Sequence, residues 1–376
     1  MSSDEQIIQP RTHPKRDILR EILGLIGADN LSLMFALVAL VFLISVASSW
    51  FGMPGGGKFF TWQNLMNSLA QAIVIVGLLA IGETVVIVAG ALDISVGSIA
   101  SIGSVVSASV LVGAGTVGAM RIFPTGNVAI AVLAGILAGM LAGVFNGLIV
   151  TTLRVNPIIA TLGTLAAFAG FAFLLAPDGK PVGVLTQPQF TWLAQGRFWM
   201  DAAIPKLGGS NWTGIPVLTV ILVIVAILVH ILMRYTDFGR AIYAIGGNAT
   251  AARLSGINIS QVRIVMYMIS GGIAGLAGVL LTARTTSGNP INGTGLELQA
   301  ITAVFLGGAA TAGGKGTIMG TFLAVILVGV LNNGMNLLGF NTFTQRVALG
   351  LLLIAAVAIS QWRQAQTERA RIRAEH

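Results

Sequence analysis

The chain has no cysteine, which excludes a disulfide framework and any thiol chemistry. Charge is scarce as well: 9% of residues are Asp, Glu, Lys or Arg, against about 25% in an ordinary soluble domain. Together with 55% hydrophobic residues, this cancels the two or three soluble domains that 376 residues would otherwise suggest. Histidines number three, and His13, His230 and His376 lie too far apart, and too near the ends of segments, to suggest a metal site. A phosphate-binding loop is missing too. Lys315 follows Gly313-Gly314, but Gly316 stands where the Walker pattern needs Ser or Thr, so the chain is not expected to hydrolyse ATP itself. The formal charge of +8 does not point to nucleic acid, because the basic residues are dispersed and no aromatics are interleaved with them.

Long apolar runs are what the sequence has in abundance. They fall at about 31–49, 65–90, 94–113, 127–151, 157–176, 214–233, 264–283, 298–312, 316–338 and 343–361, the third broken by glycine and the eighth short. A run of about 20 apolar residues crosses a hydrocarbon core of roughly 30 Å. The first is longer than a cleavable signal core and is read as an anchor. Forty-eight glycines suit helices that approach closely through small residues. The expected fold is therefore all-α, a polytopic transmembrane helical bundle of about ten spans with broken or re-entrant segments. The expected layout is an N-terminal cytoplasmic tail at 1–30, a membrane domain at 31–361 with a cytoplasmic loop at 234–263, and a C-terminal cytoplasmic tail at 362–376.

Basic residues orient this layout. With ten spans and both termini inside, the inner segments hold Arg11, Lys15, Arg16, Arg20, Arg154, Arg234, Arg240, Arg253, Arg263, Lys315, Arg363, Arg369, Arg371 and Arg373. The outer ones hold Lys58, Arg121, Lys180, Arg197, Lys206, Arg284 and Arg346, half as many, as the positive-inside bias requires. Trp50, Trp62, Trp192, Trp199 and Trp212 flank spans at the outer face, and Trp362 ends the last span at the inner one. The outer loop from about 177 to 213 carries Pro177, Pro181, Pro188 and Pro205 and cannot be one continuous helix.

The inner segment from Tyr235 to Arg263 is a polar island between two apolar runs. Asn248 is a good N-cap for a short Ala-rich helix that Gly256 closes as the residue after its C-cap. About two turns of helix do not persist alone in water, so something is expected to pack on it. Thr250-Ala251-Ala252 with Gly256 is close to the E-A-A-x-x-x-G loop of ATP-binding-cassette importer permeases, with Thr250 in the Glu place and one charge fewer. The string from Phe238 to Asn248, continued through Ser255-Gly256-Ile257-Asn258, resembles the ribose-type branch of that family, which imports monosaccharides. The resemblance implies that Gly239, Arg240, Gly247, Asn248, Ala251, Ala252, Arg253, Ser255 and Gly256 form a coupling helix and its flanks, docking into a cleft of an ATPase subunit.

Other polar groups interrupt the apolar runs. Asp93 and Ser95 lie in Gly90-Ala91-Leu92-Asp93-Ile94-Ser95-Val96-Gly97-Ser98, which resembles the Gly-x-Asp-Leu-Ser-Val-Gly-Ser signature of the same permeases with one extra residue and Ile94 for Leu. An intramembrane carboxylate costs roughly 3 kcal/mol on insertion scales unless it meets water, a partner or a cavity. Asp93 fits either a broken helix lining a path or a tight turn in which it caps the next helix. Glu83 is expected to find a donor on a neighbouring helix. Asn156 and Pro157 suit the start of a span, and Thr161 and Thr164 fit either the path or bonds back to their own helix. Glu297 and Gln299 echo Asp93 and Ser95, as two halves of an internal repeat would. Asn332, Asn333 and Asn336 cluster within about a turn and suit either sugar hydroxyls or helix-to-helix bonding. Asp93, Ser95, Asn156, Glu297, Gln299, Asn332 and Asn333 are the candidates for a substrate pathway.

The resemblance, spanning about residues 65 to 360, implies a permease subunit of an ATP-driven importer in a bacterial inner membrane. Its implied partners are a second permease copy, cytoplasmic ATP-binding subunits that hold ATP and Mg, and an external or periplasmic sugar-binding protein. No cofactor is expected in this chain and no nucleic-acid partner. A pentose resembling ribose or xylose, or a hexose, is the implied cargo. Two other readings compete: an ion-coupled carrier using Glu83, Asp93 or Glu297 as its proton site, and a permease for an amino acid, nucleoside or sugar-derived signal.

Overall fold

The computed structural model of the chain describes residues 28–50, 59–113, 116–117, 120–121, 126–200, 202, 204–207 and 209–374. The expected N-terminal tail, with Arg11, Lys15, Arg16 and Arg20, lies outside the described residues apart from 28–30, as does Lys58. Among those described, strands are confined to two-residue pairings and helix supplies the architecture.

The helices, in order, are α1 (Ala28–Trp50), α2 (Ala70–Val88, entered through a π-helical stretch at Gln63–Leu69), α3 (Val96–Val112), α4 (Val128–Thr152), α5 (Pro157–Leu175), α6 (Pro188–Gln195), α7 (Val217–Tyr235), α8 (Asp237–Gly247), α9 (Ala249–Leu254), α10 (Ile259–Thr285), α11 (Leu296–Leu306), α12 (Ile318–Leu337) and α13 (Thr342–Ala374). Among the described residues, seven helices are long and apolar enough to cross a membrane: α1, α2 with its π-helical entrance, α4, α5, α7, α10 and α12. Shorter apolar helices, α3, α11 and the first part of α13, take the remaining three apolar runs. The helical bundle and the count of ten apolar segments are as expected.

Local chemistry sets the boundaries. Asn156 caps α5 by accepting from Ile158 N–H at 2.9 Å with Pro157 in the first turn, as its sequence indicates. Helix α10 starts earlier than the expected 264, because Asn258, and not Ser260, accepts from Gln261 N–H at 3.2 Å and caps it. The expected run 298–312 is a helix only to Leu306, where Gly307 and Gly308 end it, Gly308 at φ +88. Helix α13 continues to Ala374, so no break separates the last apolar run from the expected tail at 362. The proline-rich 177–213 segment is broken as expected, with one 3-10 turn at Pro177–Gly179 and the short α6.

Helix α2 is apolar all round and sits at the centre; α1 lies at the periphery against α12. The tightest packing joins α4 to α10. Gly135, Gly139, Gly143 and Gly147 recur every fourth residue on α4, and a Cβ at Gly139 or Gly143 would strike the carbonyl of Gly271 or Tyr267. Backbones therefore touch where side chains are absent, the small-residue packing expected of a membrane bundle.

One passage across the bundle is only half helical. After α10, Ser287–Gly288 pairs antiparallel with Val182–Gly183 at one end of the bundle. The chain then runs back along α3: Asn292 Nδ2 donates to Ser104 Oγ at 2.9 Å, Gly293 N–H to Ser101 Oγ at 3.0 Å, and Gly293 lies on Gly97. Only then does the eleven-residue α11 begin. At 1.5 Å per residue it covers about 16 Å, roughly half a hydrocarbon core.

Candidate coupling and translocation sites

The polar island folds as two short helices on the end of α7. Thr236 Oγ1 accepts from Gly239 N–H at 3.2 Å and caps α8. Gly239 is buried where a Cβ would strike the Met233 carbonyl, so α8 can turn back sharply. Asn248 Oδ1 accepts from Ala251 N–H at 3.0 Å and caps α9. At the other end Gly256 takes φ +86; its N–H donates to Arg253 O at 3.0 Å and Ile257 N–H donates to Ala252 O at 3.1 Å. This pair of bonds is the Schellman closure that glycine permits. Ile245, Ala252 and Ile259, flanked by Ala249, Ile257 and Val262, form a small apolar cluster beneath it. That cluster holds a six-residue helix that would not persist alone.

Of the residues assigned to docking, Arg240, Gly247, Asn248, Ala251, Arg253, Ser255 and Gly256 are exposed. Gly239 and Ala252 are not: both are buried within the island. Arg240 pairs with Asp237. Leu254, which sequence reasoning passed over, is 84% exposed at the end of α9. Its signal was a leucine in a polar, glycine-punctuated stretch.

Glycines wire the island to the bundle. Gly246 sits where a Cβ would strike Val88 O and Gly314 N; Gly313 lies against Gly90, and Gly314 against Gly247. Gly314 N–H donates to Val88 O at 2.8 Å, and Tyr243 Oη donates to Gly316 O at 2.8 Å. The end of α8 therefore touches both the break after α2 and the 307–317 loop between α11 and α12. The first of these holds Asp93, three residues after Gly90; the second follows α11, at the opposite end of that helix from Glu297.

Asp93 is fully buried. Its Oδ1 accepts from Ser95 N–H at 2.9 Å and Ser95 Oγ at 2.6 Å, and Asn146 Nδ2 reaches both carboxylate oxygens at 3.3 Å and Ser95 Oγ at 2.8 Å. Ser95 itself stands at the N-cap of α3, so Asp93 organises the turn one step before the cap. Its own N–H donates to Glu83 Oε1 at 2.9 Å. Glu83 thus finds a donor in the break, not on a neighbouring helix as expected. Asn146, an amide in the interior of the apolar run 127–151, was the overlooked member.

The remaining candidates are dispersed. Glu297 lies on Gly97 of α3 and accepts from Gly295 N–H at 3.1 Å, while Gln299 is half-buried. Thus the two echoing elements meet at the start of α3. Asn333 is buried and exchanges amide bonds with Asn64, Nδ2 to Oδ1 at 2.9 Å and the reverse at 3.0 Å. Asn332 Oδ1 is buried with no hydrogen-bond partner, Asn336 accepts from Gln345 Nε2 at 2.7 Å, and Asn156 is exposed at the start of α5. Thr161 and Thr164 bond to carbonyls of their own helix, Pro157 and Thr161, and Thr161 also reaches Leu92 O.

Comparison with known proteins adds the following. A family model described as branched-chain amino acid transport system / permease component matches residues 64–357. The ribose import permease protein RbsC of Bacillus subtilis is 37% identical over 338 residues, 90% of this chain and 94% of the relative. Its Escherichia coli K12 counterpart is 36% identical over 329 residues, 88% and 94% of the two chains. The L-arabinose transport system permease protein AraH of Escherichia coli K12 is 36% identical over 307 residues, 82% and 85%. No solved structure matches.

Proposed function

The chain belongs to the branched-chain amino acid transport system / permease component family, and from that premise we propose that it is the membrane-spanning subunit of an ATP-driven monosaccharide importer. Pentoses are the favoured cargo, because relatives that align along most of their length include permeases named for ribose and L-arabinose. It works as a pair of permease copies in a bacterial inner membrane, both termini in the cytoplasm, where its basic loops lie. An external binding protein delivers the sugar. ATP and Mg are held by cytoplasmic subunits that grip α9.

The observation that carries this reading is α9 itself. A six-residue helix presents Ala251, Arg253, Leu254 and Ser255 outward while Ala252 anchors it, a shape suited to a cleft in another protein. A push on α9 reaches the bundle through the contacts of Gly246 with Val88 and Gly314. It thereby acts together on the break holding Asp93 and on the loop after α11, the helix whose first turn carries Glu297, and a relative shift of the two opens the path to one side or the other. A solitary ion-coupled carrier needs no such exposed element, and Asp93 is closed off by Ser95 and Asn146.

The test is retention of the ATP-binding subunit by the full chain in nanodiscs, for wild type and Leu254→Asp. Retention by wild type and loss by the variant, with an unchanged elution profile, supports the reading. No retention by either chain sinks it, and the carrier reading takes its place.

A further inference from the structure

The turn between α4 and α5 and the segment joining α9 to α10 enclose a cavity of about 690 Å³ on the basic face of the bundle. Three arginines line it: Arg154 from the turn, Arg253 from α9 and Arg263 from α10; no acidic side chain does. Among the described residues none of the three side chains makes an ion pair, and Asp237 is already engaged by Arg240 outside the cavity. Arg263 Nε is buried without a hydrogen-bond partner. Guanidinium groups gathered around one space without counter-ions repel one another, and an anion between them relieves that repulsion.

Two helix starts open into the same space, Asn156-Pro157 of α5 and Asn258-Ile259-Ser260 of α10. Each adds the partial positive charge of a helix N-terminus. Arginine forks match the paired oxygens of a phosphate. The cavity lies where α4 ends and α10 begins, two helices long and apolar enough to cross a membrane.

We propose that this cavity binds a phosphate group, carried by an anionic lipid headgroup or by a small free anion, and that the bound phosphate ties α9 to the α4–α5 turn. The binding stands independently of the importer reading; only its consequence, a stiffened coupling helix, rests on it.

Hydrogen exchange on the full chain without any ATP-binding subunit tests the proposal. One arm uses neutral phosphatidylcholine nanodiscs with inorganic phosphate against chloride at equal ionic strength. The other replaces part of the lipid with phosphatidylglycerol and omits phosphate. Amide exchange across 249–260 is expected to slow by about tenfold at saturating ligand. A response to phosphate alone assigns a free anion, a response to phosphatidylglycerol alone assigns a headgroup, and either supports the site. R154Q and R253Q are expected to abolish the protection, and R234Q, on the same face outside the cavity, to keep it. Should R154Q disturb exchange in the cores of α4 and α10, R253Q decides, because Arg253 is exposed on α9. Silence in both arms, or equal loss in R234Q, overturns the proposal.

Discussion

Tyr243 and Gly316 are joined by a 2.8 Å hydrogen bond from the phenol to the carbonyl, across 73 positions of sequence. It fastens α8, which carries the coupling helix, to the loop that starts α12. Tyr243→Phe keeps the ring and removes this bond, at a cost of about 1 kcal/mol. We expect the ATP-binding subunit to remain bound and sugar uptake in proteoliposomes to fall about fivefold. Unchanged uptake would mean that the glycine contacts alone transmit the motion.

The same bond predicts a pH response. Burial raises the Tyr243 phenol above its ordinary value of 10.0, so the neutral donor form is favoured in the folded chain. A group raised in this way contributes fully below its unfolded value and loses its contribution as pH rises past it. Uptake by wild type should therefore show no Tyr243-dependent decline between pH 7 and about 9. The Tyr243→Phe profile, normalised, should overlay it in that window; a wild-type decline missing from the variant contradicts the assignment.

Gly246→Ala inserts a methyl group between Val88 O and Gly314 N. Overpacking of this kind costs about 1–3 kcal/mol. The variant should still retain the ATP-binding subunit, because α9 is untouched, while ATP-driven uptake drops by about tenfold or more. Gly170, where a Cβ would meet nothing, supplies the control: Gly170→Ala should leave uptake within about twofold.

Asn64 and Asn333 form a closed amide pair inside the bundle. Asn333→Ala leaves Asn64 Oδ1 buried without its partner, Nδ2 keeping its bond to Phe59 O, and should lower stability by about 1–2 kcal/mol. Asn64→Ala with Asn333→Ala should cost less than the sum of the two single changes, since no orphan amide remains. Thermal unfolding in detergent reads the cycle; strict additivity would show that the pair contributes nothing.

How much of this was legible from the residues follows physical scale. Hydropathy located ten apolar helices, and the caps at Asn156, Asn248 and Gly256 were readable because a cap is a local matter of one side chain and the next turn. The partners of Glu83 and Asp93 were not, since Asn146 lies 53 positions from Asp93 and only packing brings it near. The glycine stripe at 135, 139, 143 and 147 was visible at four-residue spacing, yet nothing in the spacing says that α10 is what it meets. Likewise Ala252 resembles a docking residue by motif, but only the apolar cluster with Ile245 and Ile259 reveals that it faces inward.

The passage from Ser287 to Leu306 bears on how the protein is made. Eleven helical residues are too few to be held by a bilayer, and the preceding backbone depends on Ser101 and Ser104 for its bonds. This stretch therefore cannot be delivered into the membrane as a free-standing unit during synthesis. It can settle only where α3 is already in place to offer Ser101 and Ser104, so a missed docking there would leave a full-length chain that is inserted but not yet competent.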